Sequence, residues 1–293
     1  MTARRWQLAG LAFAIIVVIG VVWALIASHK PPNPHASPAS AQVGHQRLAG
    51  ASAIRGQAVA WVTTEVGRDV SIACDPATCS ALAARGFPAS NFTMLEPTAP
   101  DPYGSVLVIA TAAVRSQFGD KLAAVFAPEV IASFGAGPAR IDIREIAPHG
   151  PAAFRAALSA DLTARTLSGV QLLRNSRITV SAGARTLLAA GLIDSRLLTT
   201  LAFLAGQHPI DIVAFGGASP GAGLAPLRTV YLTESDAAAH MTSSAYVQSL
   251  ESVLRVQSQP YVPLTVASVQ LGGGAPVLEV EFAAPSPLGL LHS

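Results

Sequence analysis

An uncharged apolar run of 20 residues near the N-terminus constrains this chain more than any other feature. It extends from Leu8 to Ala27 with the sequence LAGLAFAIIVVIGVVWALIA. A helix rises about 1.5 Å per residue, and the hydrocarbon core of a bilayer is about 30 Å thick, so a run of this length is sufficient to cross it. The run therefore predicts a transmembrane helix over residues 7–28.

A cleaved signal peptide is the alternative interpretation of the same run. The apolar region of a signal peptide is usually about 7–15 residues long and ends at a small-x-small cleavage site. Here the run is longer. At its end, Leu25 and Ala27 have the spacing of a cleavage site, but leucine is not a small residue, so the match is poor. Both observations favour a retained anchor.

The charges around the run predict its orientation. Arg4 and Arg5 precede it, and cytoplasmic segments carry an excess of positive residues. We therefore expect residues 1–6 to be cytoplasmic and everything after Ser28 to be extracytoplasmic. The chain is then a single-pass protein of the plasma membrane.

Residues 29–56 are rich in proline, serine and alanine, and the first part of this segment shows no apolar periodicity. Such a segment buries too little surface to offset its ordering entropy, and its prolines keep it extended. It predicts a linker between the anchor and the rest of the chain. His29, His35 and His45 fall inside the linker, where their irregular spacing favours solvated histidines over a metal-binding tract.

Charge excludes one class of partner. The formal net charge is only +2, and the lysines and arginines are scattered along the chain. A nucleic-acid-binding protein carries a clustered basic face, so no nucleic-acid partner is expected.

Both cysteines of the chain lie in the stretch SIACDPATCSAL, as Cys74 and Cys79. A structural metal site needs about four ligands, and no second Cys or Cys-His pair is present. A thioredoxin-type site uses C-x-x-C spacing. Outside the membrane the medium is oxidising, so two cysteines this close are expected to pair and to pin a strand-to-helix turn. Two free thiols and a redox catalyst are the alternatives.

Residues 57–148 alternate short apolar strands with helices. The strands VLVIA and VIASF are continuous apolar runs, as is typical of strands covered on both faces. This pattern predicts a doubly wound, mostly parallel, Rossmann-like lobe. Its last two strands, EVIASFG and RIDIREI, are joined at GAGPA and are expected to form an antiparallel hairpin at the edge of the sheet.

Residues 149–293 predict a second lobe of mixed α/β structure. A long connecting helix from Pro151 to Arg174 opens it, and a C-terminal hairpin turning at GGGAP closes it. Ser181 and Asp194 are suited to the N-cap positions of two helices, and Gly191 to the stop between them.

The segments VSIACDPATCSALAARGFPASNFTML, SVLVIATAAVRSQF, EVIASFG and ARIDIREI resemble an extracytoplasmic Rossmann-like module. That module is associated with uncharacterised single-pass membrane proteins of actinobacteria and with the outer segments of some actinobacterial membrane glycosyltransferases. The segment LLAAGLIDSRLLTTLAFLAGQHPIDIVAFG is similar to the core of secreted peptidoglycan-peptidase-like domains, which hold zinc with two histidines and an aspartate. No such ligands follow the strand at Ile210, so this resemblance implies a scaffold only.

A formal G-x-S-x-G motif surrounds Ser219 after an apolar strand. A hydrolase elbow requires a following helix and a backbone N–H just after the serine. Here Pro220 follows and has no N–H, and the chain leads to another strand. Asp236 and His240 come later on one short segment. A flexible loop is therefore favoured over a nucleophile.

A dinucleotide site needs G-x-G-x-x-G between the first strand and its helix, but that turn reads CDPATC, so no cofactor is expected. Asp75 and Thr111 follow strands at the carboxyl edge of the predicted sheet, where ligands of such sheets bind. They are the candidate ligand-side residues. Asp75 is equally suited to cap the helix that begins at Pro76, and we favour that interpretation.

Two pairs of acidic residues have the composition of a glycosidase site, namely Asp142 with Glu145 and Glu279 with Glu281. Glu279 and Glu281 are two apart on one strand and share a face, which favours a solvated surface. No catalytic residue and no metal ligand is assigned.

The absence of a coherent catalytic set in the sequence predicts a membrane-tethered binding or scaffold protein of the cell envelope. Its partner would be cell-wall glycan or another envelope protein. The alternative is an envelope enzyme, either a hydrolase or a glycosyltransferase-associated accessory, whose site is assembled from distant residues.

Overall fold

The computed structural model describes residues 38–99, 101–221, 223, 225–234, 243–271 and 276–291. The predicted cytoplasmic N-terminus, the membrane helix over 7–28 and the first part of the linker lie outside these residues. Within them, no helix combines the length and the apolar character needed to cross a membrane. The chain divides into two units, Met1–Gly50 and Ala51–Ser293, and the sheets and sites below belong to the second.

The described residues form a mixed α/β structure. Its helices are α1 (Pro38–Glu65), α2 (Pro76–Ala84), α3 (Ala112–Phe118), α4 (Pro151–Leu173), α5 (Ala182–Ala189), α6 (Ser195–Gln207) and α7 (Ser243–Arg255). Its strands are β1 (Ile72–Cys74), β2 (Phe92–Met94), β3 (Leu107–Ala110), β4 (Glu129–Phe134), β5 (Ile141–Glu145), β6 (Ile178–Val180), β7 (Ile210–Gly216), β8 (Thr229–Glu234), β9 (Thr265–Gln270) and β10 (Pro276–Glu281).

Helix α1 differs from the predicted extended linker, because the chain is helical from Pro38 onward. A proline fits the first turn of a helix, where its missing N–H is not needed. No proline follows in residues 39–56, and alanine recurs there. Alanine has the highest helix propensity, so the helix extends back into the segment that we expected to be a tether.

The first sheet has the strand order β2-β1-β3-β5-β4. Strand β1 pairs in parallel with β2 and β3, whereas β5 is antiparallel to both β3 and β4. The sheet is therefore mixed, where a mostly parallel sheet was predicted. The predicted hairpin of β4 and β5 is confirmed, but its second strand lies inside the sheet and leaves β4 at the edge.

Hydrophobic clusters cover both faces of this sheet. Successive residues of β3 point to opposite faces of the sheet. Leu107 and Ile109 pack with α1 and α2 on one face. Val108 and Ala110 pack with α3 on the other. Helix α3 ends at Phe118, since Gly119 after it has φ 54°. A π-helical turn, Leu122–Phe126, follows this glycine.

The second sheet has the order β6-β7-β8-β10-β9. Only β6 and β7 pair in parallel, and the other pairings are antiparallel. The predicted C-terminal hairpin of β9 and β10 is confirmed, and so are the N-caps, because Ser181 accepts from the N–H of Ala184 and Asp194 from that of Arg196. Helices α5, α6 and α7 supply the cluster that covers this sheet.

The two sheets meet where the end of α1 touches the segment after β10. The N–H of Ala284 donates to the carbonyl of Glu65 (2.6 Å), and the N–H of Gly67 donates to the carbonyl of Ala284 (3.2 Å). A third contact comes from β4, where the N–H of Ser133 donates to the carbonyl of Pro220 (2.6 Å). These backbone bonds bring charged side chains from both sheets together.

Candidate functional site

The stretch between β1 and α2 is closed by a disulfide. Cys74 and Cys79 are bonded, with their Cα atoms 5.5 Å apart, so the predicted pairing is confirmed. Both residues are buried in the core between α1 and the first sheet. The bond holds the last residue of β1 against the first turns of α2.

Asp75, between β1 and α2, is the N-cap of α2. Its carboxylate accepts from the N–H groups of Ala77 and Thr78 (3.1 Å each), from the Thr78 hydroxyl (2.9 Å) and from the Thr111 hydroxyl (2.7 Å). Burial alone raises the pKa of this carboxyl, but the hydrogen bonds from Thr111 and Thr78 outweigh burial and hold the pKa below its ordinary value. The N-cap interpretation of Asp75 is therefore confirmed.

Thr111 in turn caps α3, where its hydroxyl accepts from the N–H of Val114. The structure thus brings the two candidate ligand-side residues, Asp75 and Thr111, into direct contact. Both are buried, and their polar atoms serve the two helix caps. A ligand at this edge would have to displace those bonds.

Ser219 lies in a loop beside an arginine. Its hydroxyl accepts from Arg228 Nη2 at 3.5 Å. After β7 ends at Gly216, the next regular element in the described residues is strand β8, so no helix begins at this serine there. Asp236 and His240 lie outside the described residues. Ser219 is therefore a loop residue whose hydroxyl contacts an arginine.

The predicted pair Asp142 and Glu145 is not brought together. The two residues are three apart on β5 and lie on opposite faces. Asp142 accepts from the Ser133 hydroxyl (2.7 Å) and from Arg140 Nη2 (2.8 Å). Glu145 instead faces a residue that the sequence analysis missed, Glu129, which is its direct partner on β4.

Glu279 and Glu281 differ from the solvated pair that we expected. Glu279 accepts from the Tyr231 hydroxyl (3.0 Å). Glu281 is half-buried beside Glu65, whose carboxylate pairs with Arg228 Nη2 at 3.0 Å. Burial, and then the Glu65 carboxyl, raise the pKa of Glu281 to about 7.

A cavity of about 60 Å³ lies at this junction of the two sheets. Its two acidic residues come from the first sheet, and its two arginines come from α4 and from the segment before β8. The rest of the wall is mostly apolar. Its lining residues are Glu129, Ile131, Glu145, Leu158, Arg165, Ser219, Ala225, Pro226, Arg228, Ala284, Pro285, Ser286 and Leu288.

An open groove of about 760 Å³ adjoins the cavity along the segment after β10. Glu145 and residues 284–286 line both the cavity and the groove. The groove is built from the turn after α1, the end of β5 and the loop between α7 and β9. Its exposed apolar residues are Val106, Val262 and Leu264, and Arg68, Asp69 and Arg196 provide its charges.

The cations at the cavity are already paired. Arg165 Nε contacts Asp161 Oδ2 at 2.7 Å, and Arg165 also donates to the Gly191 carbonyl. Arg228 is paired with Glu65, donates to the Phe282 carbonyl (3.0 Å) and stacks on the ring of Trp61. The carboxylates of Glu129 and Glu145, by contrast, accept no hydrogen bond from the described residues.

Across the described ranges, no group of three or more His, Cys, Asp or Glu residues is suited to a metal ion. Sequence reasoning missed the cavity because its groups come from five distant segments. The only local signal for Glu129 was an acidic residue at the start of a mostly apolar strand. Together the cavity and the groove present two carboxyl groups that have no hydrogen-bond or ion-pair partner in the described part of the chain.

Comparison with known proteins adds no assignment. The chain matches no family model, and neither the curated proteins nor the solved structures include a significant match to it.

Proposed function

We propose that this chain is a membrane-tethered, extracytoplasmic binding protein of the bacterial cell envelope, and that its ligand occupies the groove. The observation that carries the proposal is the groove itself, with its volume of about 760 Å³. Binding sites for small ligands are typically concave, mostly apolar and about 300–1,000 Å³ in volume, with a few polar groups. The groove has each of these properties.

A binding role also agrees with how the candidate reactive groups are used. Asp75 and Thr111 cap helices, and Ser219 contacts a paired arginine. A catalytic nucleophile needs a general base within hydrogen-bond reach, and Ser219 has none among its described contacts. These observations support a non-catalytic function.

The location is a separate part of the proposal. Support comes from the apolar run at residues 8–27 with two arginines before it, and from the Cys74–Cys79 disulfide. Disulfides persist in oxidising compartments outside the cytoplasm. We further propose that the first sheet belongs to a Rossmann-like module, since helices cover both of its faces.

Binding of soluble peptidoglycan fragments to the full-length chain in detergent micelles tests the function. Val262 is 43% exposed in the groove, so Val262→Asp should weaken binding at least tenfold. Val256 is 79% exposed and does not line the groove, so Val256→Asp is the matched control and should bind like the wild type. Equal affinities of the two variants would contradict the assignment of the groove.

The alternative function, an envelope hydrolase, is favoured by one observation. Glu129 and Glu145 are opposite each other on β4 and β5 and line the same cavity. Glycoside hydrolysis needs two carboxyl groups, one protonated and one ionised. Release of reducing ends from wall glycan by the wild type, and loss of that release in Glu145→Gln, would support the enzyme over the binding protein.

A further inference from the structure

The carboxyl groups of Glu129 and Glu145 form a pair that has no partner among the described residues. Residues directly opposite each other on antiparallel strands have their side chains on the same face, with Cα atoms about 4.5–5.5 Å apart. Here that face is the wall of the cavity. Neither carboxylate forms an ion pair or accepts a hydrogen bond in the described part of the chain, although most buried polar groups are hydrogen-bonded.

The neighbouring cations do not neutralise this pair. Arg165 and Arg228 are each matched by another carboxylate, that of Asp161 and that of Glu65. The guanidinium of Arg144 donates to the carbonyls of Ala127 (2.6 Å) and Pro128 (2.9 Å). The cavity therefore has an excess of carboxyl groups over positive charge.

The protonation of Glu145 reflects that excess. Burial, and after it the charges of Glu129 and Asp161, raise the pKa of its carboxyl to about 8. Burial also raises the pKa of Glu129, which Arg144 partly offsets. The charged and titratable groups that line the cavity or the groove with Glu145, or act on its carboxyl, are Glu129, Asp161, Arg165, Arg228, Arg68, Asp69 and Arg196.

The size and lining of the cavity limit what it can hold. One water molecule needs about 10–15 Å³ of cavity volume. The cavity of about 60 Å³ therefore accepts a group of about four non-hydrogen atoms. Ile131, Leu158 and Leu288 provide apolar walls. A group that fits must be small, must donate hydrogen bonds to two carboxylates, and must carry a short apolar stem.

We propose that this cavity binds a primary ammonium group of the ligand, held between the carboxylates of Glu129 and Glu145. The inference rests on the proposed binding function, because Glu145 also lines the groove and a ligand there lies beside it. An ammonium group supplies three donors and the missing positive charge. A divalent metal ion is disfavoured, since the described residues provide no set of three suitable ligands.

Binding is then linked to proton release. An ammonium group favours the ionised form of Glu145, which at pH 7 must lose a proton first. Affinity should therefore rise about tenfold from pH 6 to pH 7 and about fivefold from pH 7 to pH 8, and level off above the Glu145 pKa. The ammonium ligand stays charged over this range.

The experiment uses the full-length chain in detergent micelles and n-propylammonium chloride as the probe. Calorimetric titration at constant ionic strength should show saturable binding, with nearly one proton released per probe at pH 7. Propan-1-ol has the same shape without the charge and should bind at least tenfold more weakly. Sodium chloride at the same concentration is the control for ionic strength.

Two variants assign the site. Glu145→Gln and Glu129→Gln keep the side-chain shape and should each weaken propylammonium binding at least tenfold, and Glu145→Gln should also abolish the proton release. Glu251→Gln is the matched control, because Glu251 lies outside the linings of the cavity and the groove and pairs with the exposed Arg255 of α7. If one variant does not fold, the pH profile of the wild type still tests the proposal.

Each outcome decides the question. Equal affinity for propan-1-ol, wild-type affinity in Glu145→Gln, or an affinity independent of pH would overturn the ammonium site. If wall fragments bind in a Val262-dependent manner while propylammonium does not bind, the inference fails and the proposed function stands. If propylammonium binds as expected and no wall fragment does, the site stands and the groove assignment fails.

Discussion

At the residue scale, the polar side chains of this protein divide into those with a structural partner and those without. Asp75 has four donors, and its pKa is held below the ordinary value. Glu145 has none among the described residues, and its pKa is raised to about 8. The same chemical group is thus stabilised as an anion in one place and as a neutral acid in the other, because hydrogen bonds favour the ion whereas burial disfavours it.

The raised pKa of Glu281 makes the stability of the protein depend on pH. A glutamate has an ordinary pKa of 4.5, and the folded protein raises that of Glu281 to about 7. The unfolded chain therefore loses this proton first, and stability falls as pH rises from about 4.5 to 7. Glu281→Gln removes this loss and should stabilise the protein at pH 8 by about 1–2 kcal/mol, after discounting for partial exposure.

Thermal unfolding at pH 4.5 and at pH 8 measures the effect. The variant should gain stability at pH 8 and show no gain at pH 4.5. Glu251→Gln serves again as the control and should show no such difference, because Glu251 is paired with Arg255 in α7. A variant less stable than the wild type at pH 8 would mean that the ionised Glu281 is a favourable partner of Arg228.

At the element scale, two helices approach each other more closely than a side chain allows. A Cβ placed on Gly169 of α4 would lie 2.1 Å from the carbonyl oxygen of Leu188 in α5. Real Cβ atoms do not come so close to backbone, so the two helices would have to move apart. Small residues at helix contacts permit such close approach, and this contact fixes how α4 lies against the second sheet.

Gly169→Ala should therefore destabilise the protein by about 1–3 kcal/mol, since a packed contact has no room for an added methyl group. Gly183→Ala is the matched control, because a Cβ at Gly183 in α5 meets nothing within 4 Å. That variant should be neutral or gain up to about 1 kcal/mol. Urea unfolding of both variants gives the comparison, and similar free energies would show that α4 and α5 adjust freely.

The disulfide between β1 and α2 is also tested at the element scale. The Cys74→Ser/Cys79→Ser double variant should lose about 1–3 kcal/mol and retain the fold, because the bond closes a short loop and Asp75 still caps α2. Urea unfolding measures the loss. Protein taken from the envelope without reductant should show no free thiol when denatured, and two titrating thiols would argue against a persistent bond.

At the scale of the whole molecule, the junction between the sheets determines the candidate site. Glu65 at the end of α1, Arg228 before β8 and Glu281 at the end of β10 meet there. Burying charged groups is costly unless they are paired. The pairing of these residues from distant segments therefore ties the position of one sheet to that of the other.

The charges around the apolar run predict the orientation of the chain in the membrane. The apolar run at residues 8–27 with Arg4 and Arg5 before it should leave the C-terminus outside the cell. Protease added to intact spheroplasts should then digest a tag attached after Ser293. A protected tag would reverse the orientation, and a tag released into the medium would identify the run as a cleaved signal peptide.

Much of the local structure was predictable from the sequence. Strands such as β3 and β4 are short apolar runs, and Ser181, Asp194 and Asp75 are N-caps as their positions indicated. The disulfide followed from two cysteines separated by one helical turn. These features depend on residues near each other in the chain, so periodicity, capping and spacing are enough to determine them.

The order of the strands and the contacts between charged side chains could be read only from the tertiary structure. The sequence of β5 has an alternating pattern that suits an edge, yet β5 pairs on both sides because Asp142 and Arg144 find partners within the fold. Glu129 and Glu145 become a pair only through the register of β4 and β5. Strand order and register depend on contacts between distant residues, and a single sequence shows which side chains are polar but not which of them remain without a partner.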